Sequence, residues 1–230
     1  MLEDLGSVLS KLGPRLDAVF HRRTFMTAAE TFLALALGHK SGLKNVNLHL
    51  VSPDDLAKMV LAEESKGLKL ACRTVPYLPQ GATEEQAMNQ VVGLYVSPGD
   101  CYAIDRLVPG LSSSLAEAQS TTLVHEAGHA LIDRRRRIHG IGNLSDEQQV
   151  KADHFCDDLA GVFRQYVFGP VACQPDPVDI RAEMQARFRE LTRPAIGYGR
   201  PSRWHAAYAA VQARNATASR ATTASSATSF

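Results

Sequence analysis

Residues 122–133 read TLVHEAGHALID and hold His125, Glu126 and His129 in the pattern His-Glu-x-x-His. Positions four apart on a helix stand one turn above each other on one face, so both imidazoles can aim a nitrogen at a single point. That arrangement suits a tetrahedral Zn²⁺ ion, with nitrogens at about 2.0–2.1 Å. Glu126, next to the first histidine, is placed to reach a water held by the metal without becoming the main ligand. It would take the proton as general base while the metal polarises a scissile carbonyl. The plain alternative is a helix that carries two histidines by chance, since the pattern fixes only three positions. The flanking residues argue against chance: Leu123, Val124, Ala127, Ala130, Leu131 and Ile132 are apolar or small, as on a helix buried in a core. Burying two histidines and a glutamate there without partners carries a heavy desolvation penalty, which a metal would relieve.

The segments around the motif must position it. A helical pattern runs from Ser114 to about Arg137, and Gly140 and Gly142 mark its exit. Before it, QVVGLYVSPGDCYAIDR holds two β-type runs flanking Ser97-Pro98-Gly99-Asp100, a hairpin expected to offer its edge to an extended peptide. After it, Ser145 with Gln148 forms a capping-box pattern that opens a long helix to about Phe168. Two helical patterns open the chain, Leu2–Phe20 and Thr24–Leu37, punctuated by Gly13-Pro14 and closed near Gly38. NVNLHLV (45–51) alternates as a half-buried strand, Ser52-Pro53-Asp54-Asp55 starts a helix over LAKMVLAEES, and KGLKLACRTV reads as a second strand. Further helices are expected at 178–192 and 202–216. The organisation predicted is an N-terminal helical segment (1–44), an α+β catalytic domain with C-terminal helices (45–215), and an Ala/Ser/Thr tail (216–230) too poor in large apolar groups to order itself.

The motif TTLVHEAGHAL, followed about twenty residues on by ADHFCDDL (152–159), resembles the ImmA/IrrE-type minigluzincin metallopeptidases over roughly residues 85–168. In that family a hairpin precedes the His-Glu-x-x-His helix, and a second helix carries Glu-x-x-Ala-Asn/Asp-x-Phe-Ala-x-x-Leu. Ala152, Asp153, Phe155 and Leu159 match the second pattern, and Cys156 replaces its small alanine. The resemblance implies a small zincin-like domain that hydrolyses a peptide bond in a protein or peptide substrate, with Zn²⁺ on His125 and His129. It also implies a third ligand three residues before Ala152, where this chain has Gln149, and a neutral amide is a weaker partner for zinc than a carboxylate. Three residues compete to replace it. Asp153 lies one turn beyond Gln149 on the same face, although its counterpart in the family usually supports a ligand histidine by hydrogen bonding. Glu147 sits roughly 160° round the helix from Gln149. His139, in IHGIGN, resembles the His-Gly that supplies a third ligand in SprT-like proteases, at a shorter spacing from the motif. A non-catalytic zincin-like regulatory or binding protein is the alternative that Gln149 keeps open.

The remaining features set bounds. With 25 basic and 24 acidic residues the chain has a formal charge of +1, which gives no electrostatic reason to expect nucleic acid or an anionic membrane as partner. The four cysteines form no Cys-x-x-Cys pair and are expected as reduced thiols. The start lacks a basic region ahead of an apolar run, and FLALALG (32–38) is far shorter than the roughly 20 residues that span a bilayer, so a cytoplasmic location is expected. Export as an effector would leave no mark in such a sequence. Arg134–Arg137 read as a solvated cationic end complementing the motif helix's dipole, with Asp157 and Asp158 facing water or capped by these arginines. Tyr102, His154, Tyr198 and His205 are of the types that stabilise an oxyanion.

Overall fold

A computed structural model describes residues 2–38, 43–65, 73–74, 91–106 and 114–193. These residues form an α+β unit of six α-helices and a small mixed sheet. In chain order the elements are α1 (Leu2–Ala18), α2 (Arg22–Leu37), β1 (Asn47–Val51), α3 (Pro53–Ser65), β2 (Arg73–Thr74), β3 (Gly93–Val96), β4 (Asp100–Ile104), α4 (Leu115–Ile138), α5 (Asp146–Val167) and α6 (Pro177–Thr192). The strand order is β1-β4-β3-β2. β1 runs parallel to β4, with Asn47 opposite Asp100 and Val51 opposite Ile104, while β3 is antiparallel to both β4 and β2.

That order corrects one expectation. Among the described residues the hairpin is flanked on both sides, β4 by β1 and Gly93–Leu94 of β3 by β2, so the outer strands are β1 and β2. An extended peptide adding to this sheet would pair with one of those two. The pattern KGLKLACRTV contributes only Arg73–Thr74 within the described residues.

Local chemistry explains the helices near the motif. Ser114 caps α4 by accepting from the Glu117 amide at 3.1 Å. Ser145 and Gln148 close the predicted capping box on α5, the hydroxyl accepting from the Gln148 amide and the Gln148 side chain accepting from the Ser145 amide. Asp176 caps α6 ahead of Pro177. Pro14 lies inside α1, which continues through it instead of breaking there.

α4 packs against the sheet on one side and α5 on the other. The main core joins Leu123, Val124, Ala127 and Leu131 of α4 to Phe155, Leu159 and Phe163 of α5, Leu48, Tyr95 and Cys101 of the sheet, and Phe25, Phe32 and Leu33 of α2. The N-terminal helices therefore share the core of the motif helix and are no separate domain; residues 1–193 form one compact unit. A smaller cluster, centred on Leu56, Val60, Leu94 and Ile104, seats α3 on the opposite face of the sheet. Among the described residues no helix is long and apolar enough to cross a membrane. The helix expected at 202–216 and the tail lie outside the described residues.

Candidate metal centre

The register between α4 and α5 builds the site. The helices are antiparallel, and three facing pairs step down them in order: Glu117 with Arg164, His125 with Asp157, and His129 with Asp153. The Glu117–Arg164 ion pair ties the start of α4 to the end of α5, with the Glu117 carboxylate buried. Gly128 permits the close approach between them, because a Cβ there would lie 2.7 Å from the sulfur of Cys156. Cys156, where the resembled family has alanine, thus fills the space that Gly128 leaves.

His125 and His129 are buried and Glu126 has no exposed surface. One ligand atom from each lies within 4.8 Å of the others, so this group can hold a metal ion. His125 Nε2 stands 3.1 Å from His129 Nε2, and His129 Nε2 stands 3.2 Å from Asp153 Oδ1. Around a tetrahedral ion with bonds of about 2.0–2.2 Å, neighbouring ligand atoms are roughly 3.3–3.5 Å apart, close to both separations. Asp153 joins the histidine pair through His129.

The ligand chemistry also fits a cation. Asp157 Oδ1 lies 3.0 Å from His125 Nδ1, so that nitrogen carries the proton and Nε2 of the neutral ring presents its lone pair. Nε2 of His129 then meets two acceptors, the His125 lone pair and the Asp153 carboxylate. Its one proton cannot satisfy both with good geometry, and a positive ion at the meeting point would. Partial burial pushes the Asp157 carboxyl up, but the hydrogen bond from His125 and the histidines around it outweigh this and hold the carboxyl below its ordinary range.

Glu126 faces the sheet from the same helix. Its carboxylate nests over Gly93 of β3, where a Cβ would lie 2.5 Å from Thr122 Cγ2 and closer still to Glu126 Oε1. Its charge also adds to burial in pushing up the thiol of Cys101 on β4. The general-base candidate thus sits between the hairpin and the histidine pair.

The three competing ligands separate cleanly. Gln149 turns back to donate its amide to the Leu144 carbonyl at 3.3 Å. Glu147 is 80% exposed and paired with Lys151, so it is committed to the outer face of α5. His139 is the exposed C-cap residue of α4. Of Gln149, Glu147, His139 and Asp153, Asp153 is the one that reaches a motif histidine.

Other expectations need correction. Asp157 does face water, its side chain being 63% exposed, but its partner is His125 and not the Arg134–Arg137 run. Asp158 pairs at 2.6 Å with Arg187 of α6. Arg136 is buried, donating to the carbonyls of Gly142, Asn143 and Leu191 and so tying the α4–α5 loop to the end of α6. Tyr102 points to the α3 side of the sheet and stacks on His49, with ring centroids 4.6 Å apart, away from Glu126. His154 is exposed on α5, and Tyr198 and His205 lie outside the described residues. Asp157 was detectable in principle: it falls one turn after Asp153, as His129 falls one turn after His125.

No family model, curated protein or solved structure matches this chain in the comparisons made. The functional reading therefore stands on the site itself.

Proposed function

We propose that the chain is a zinc-dependent metallopeptidase acting on a protein or peptide substrate, with His125, His129 and Asp153 holding the metal and Glu126 serving as general base. The observation that carries this reading is the buried His125–Glu126–His129 group, whose ligand atoms lie within 4.8 Å of one another, with Asp153 Oδ1 standing 3.2 Å from His129 Nε2. Zinc bound there supplies Lewis acidity, lowering the pKa of water and polarising a carbonyl. The chain's own residues do the rest. Asp157 fixes the tautomer and ring orientation of His125. Glu126 takes the proton from the attacking water and delivers it to the leaving amine, its carboxylate kept in place by the space above Gly93.

A structural metal without turnover is the second reading, favoured by the near-complete enclosure of both histidines, which are 5% exposed. Two measurements decide. Metal analysis of protein purified from zinc-replete expression is expected to give one zinc per chain; a content near zero refutes both readings. Glu126→Gln is expected to keep the zinc and abolish cleavage of a mixed peptide library. Zinc without cleavage in the wild type supports the structural reading, and cleavage that survives Glu126→Gln refutes Glu126 as the base.

A further inference from the structure

A second polar cluster lies one helical turn beyond His129 and is used by nothing described so far. Asp133 on α4 accepts at Oδ2 from the Tyr95 hydroxyl at 2.5 Å and from the Ser97 hydroxyl at 2.8 Å, and it pairs with Arg137 at 3.2 Å. Arg137 in turn donates to the Pro98 carbonyl at 3.2 Å. One carboxylate therefore grips β3 and the turn after it, while its arginine neighbour grips that same turn. Tyr95 is buried, and its ring lies almost parallel to the His129 imidazole, at an interplanar angle of 14° with centroids 6.3 Å apart.

The Tyr95 hydroxyl is committed. Its proton goes to Asp133, and burial together with that carboxylate raises its pKa well above the phenol's ordinary value. A phenol so held is poorly placed to donate to a developing oxyanion. What it offers the site is a ring whose position is anchored at its far end. His129 needs such an anchor on its sheet side, because α5 fixes it only from the side of Asp153.

We propose that Tyr95 and Asp133 are a positioning pair for His129. Asp133 pins the hairpin to α4, and the pinned tyrosine ring sets the plane of the imidazole so that Nε2 faces His125 Nε2 on one side and Asp153 Oδ1 on the other. The proposal rests on the metal reading above and deepens it. Partners that orient a ligand histidine typically contribute 10–100-fold to metal affinity, on the order of the effect expected here.

The test is a Co²⁺ titration of the metal-stripped full-length protein, read by visible absorption and by competition with a chelator, with circular dichroism and thermal melts alongside. Tyr95→Leu and Asp133→Asn are expected to weaken Co²⁺ binding by roughly 10-fold or more and to change the absorption spectrum. Tyr95→Phe keeps the ring and loses only the tether, so it is expected to lose less than Tyr95→Leu; being nearly isosteric, it also guards against a leucine variant that fails to fold. Arg181→Ala is the structural control: it removes bonds from α6 to the Leu35 and Ala34 carbonyls of α2 and is expected to lower the melting temperature with an unchanged spectrum. Unchanged affinity and spectrum in folded Tyr95→Phe and Asp133→Asn, beside a wild type that binds Co²⁺, overturns the positioning pair and leaves the metal reading standing. A wild type that binds no Co²⁺, with His129→Ala indistinguishable from it, overturns both.

Discussion

Gly93→Ala tests how Glu126 is held. The backbone at Gly93 is ordinary strand, so alanine meets no conformational barrier, and the whole effect is steric. Its Cβ would stand 2.5 Å from Thr122 Cγ2, whereas real Cβ atoms essentially never approach within 3.0 Å. Both neighbours must give way, the Thr122 methyl by turning about χ1 and the Glu126 carboxylate as the flexible end of a longer side chain. Restoring carbon contacts of about 3.5–4.0 Å requires a displacement on the order of 1 Å. Overpacking of this kind costs about 1–3 kcal/mol. For a domain of this size that is a melting temperature lower by roughly 2–12 °C. A 1 Å misplacement of a reacting group costs about 100-fold in rate, and that loss is expected in peptide cleavage while zinc content stays at the wild-type level, because neither histidine is touched. Gly161→Ala is the internal control. A Cβ at Gly161, inside α5, meets nothing within 4 Å, so this change is expected to stabilise the protein by about 0.5–1 kcal/mol. Thermal melts of both variants, with zinc analysis, make the assay. A Gly93→Ala protein as stable as the wild type, or one that loses its zinc while fully folded, refutes the placement of Glu126 against β3.

Three further expectations follow from the geometry. Asp153→Ala should lower zinc affinity by about 100-fold or more and Asp157→Asn by about 10–100-fold, whereas Gln149→Ala, Glu147→Ala and His139→Ala should leave it unchanged in the same chelator competition. Arg136→Ala strips donors from the Gly142, Asn143 and Leu191 carbonyls and should destabilise by about 3 kcal/mol; Arg136→Lys should recover less than half, since one ammonium cannot reproduce the guanidinium fork. Asp100 is held below the ordinary carboxylate range by hydrogen bonds from Asn47 and His49, so its contribution to stability is present above the unfolded value of about 3.9 and is lost as pH falls through its lower folded value. Asp100→Asn should therefore be less stable than the wild type above that range and converge with it as pH falls along the acid limb, and a difference that appears only on the acid limb would contradict this reading.

Most of the local structure was legible before any coordinates. The capping box at Ser145, the turn at Ser97–Asp100 and the apolar frame of the motif each act over a few residues, so their physics is complete within a short window. The two histidines and Glu126 were legible for the same reason, because 3.6 residues per turn places them without reference to any other segment.

What a single segment could not decide is how two segments meet. Whether Gln149, Asp153 or Asp157 faces the histidines depends on how far α5 slides along α4, and a slide of one turn exchanges their positions. That register is set by the loop from His139 to Leu144, by the Glu117–Arg164 pair at the far end, and by the close approach at Gly128. It brings Asp153 to His129 and Asp157 to His125, and it leaves Gln149 to the Leu144 carbonyl. The burial of Arg136 and the grip of Asp133 on the hairpin are tertiary for the same reason: each depends on carbonyls or hydroxyls delivered by another part of the chain. The sequence by itself put two histidines and a glutamate on neighbouring positions of α4, a group that could hold a metal ion, and the packing of α5 and the hairpin against it decided which residues meet them.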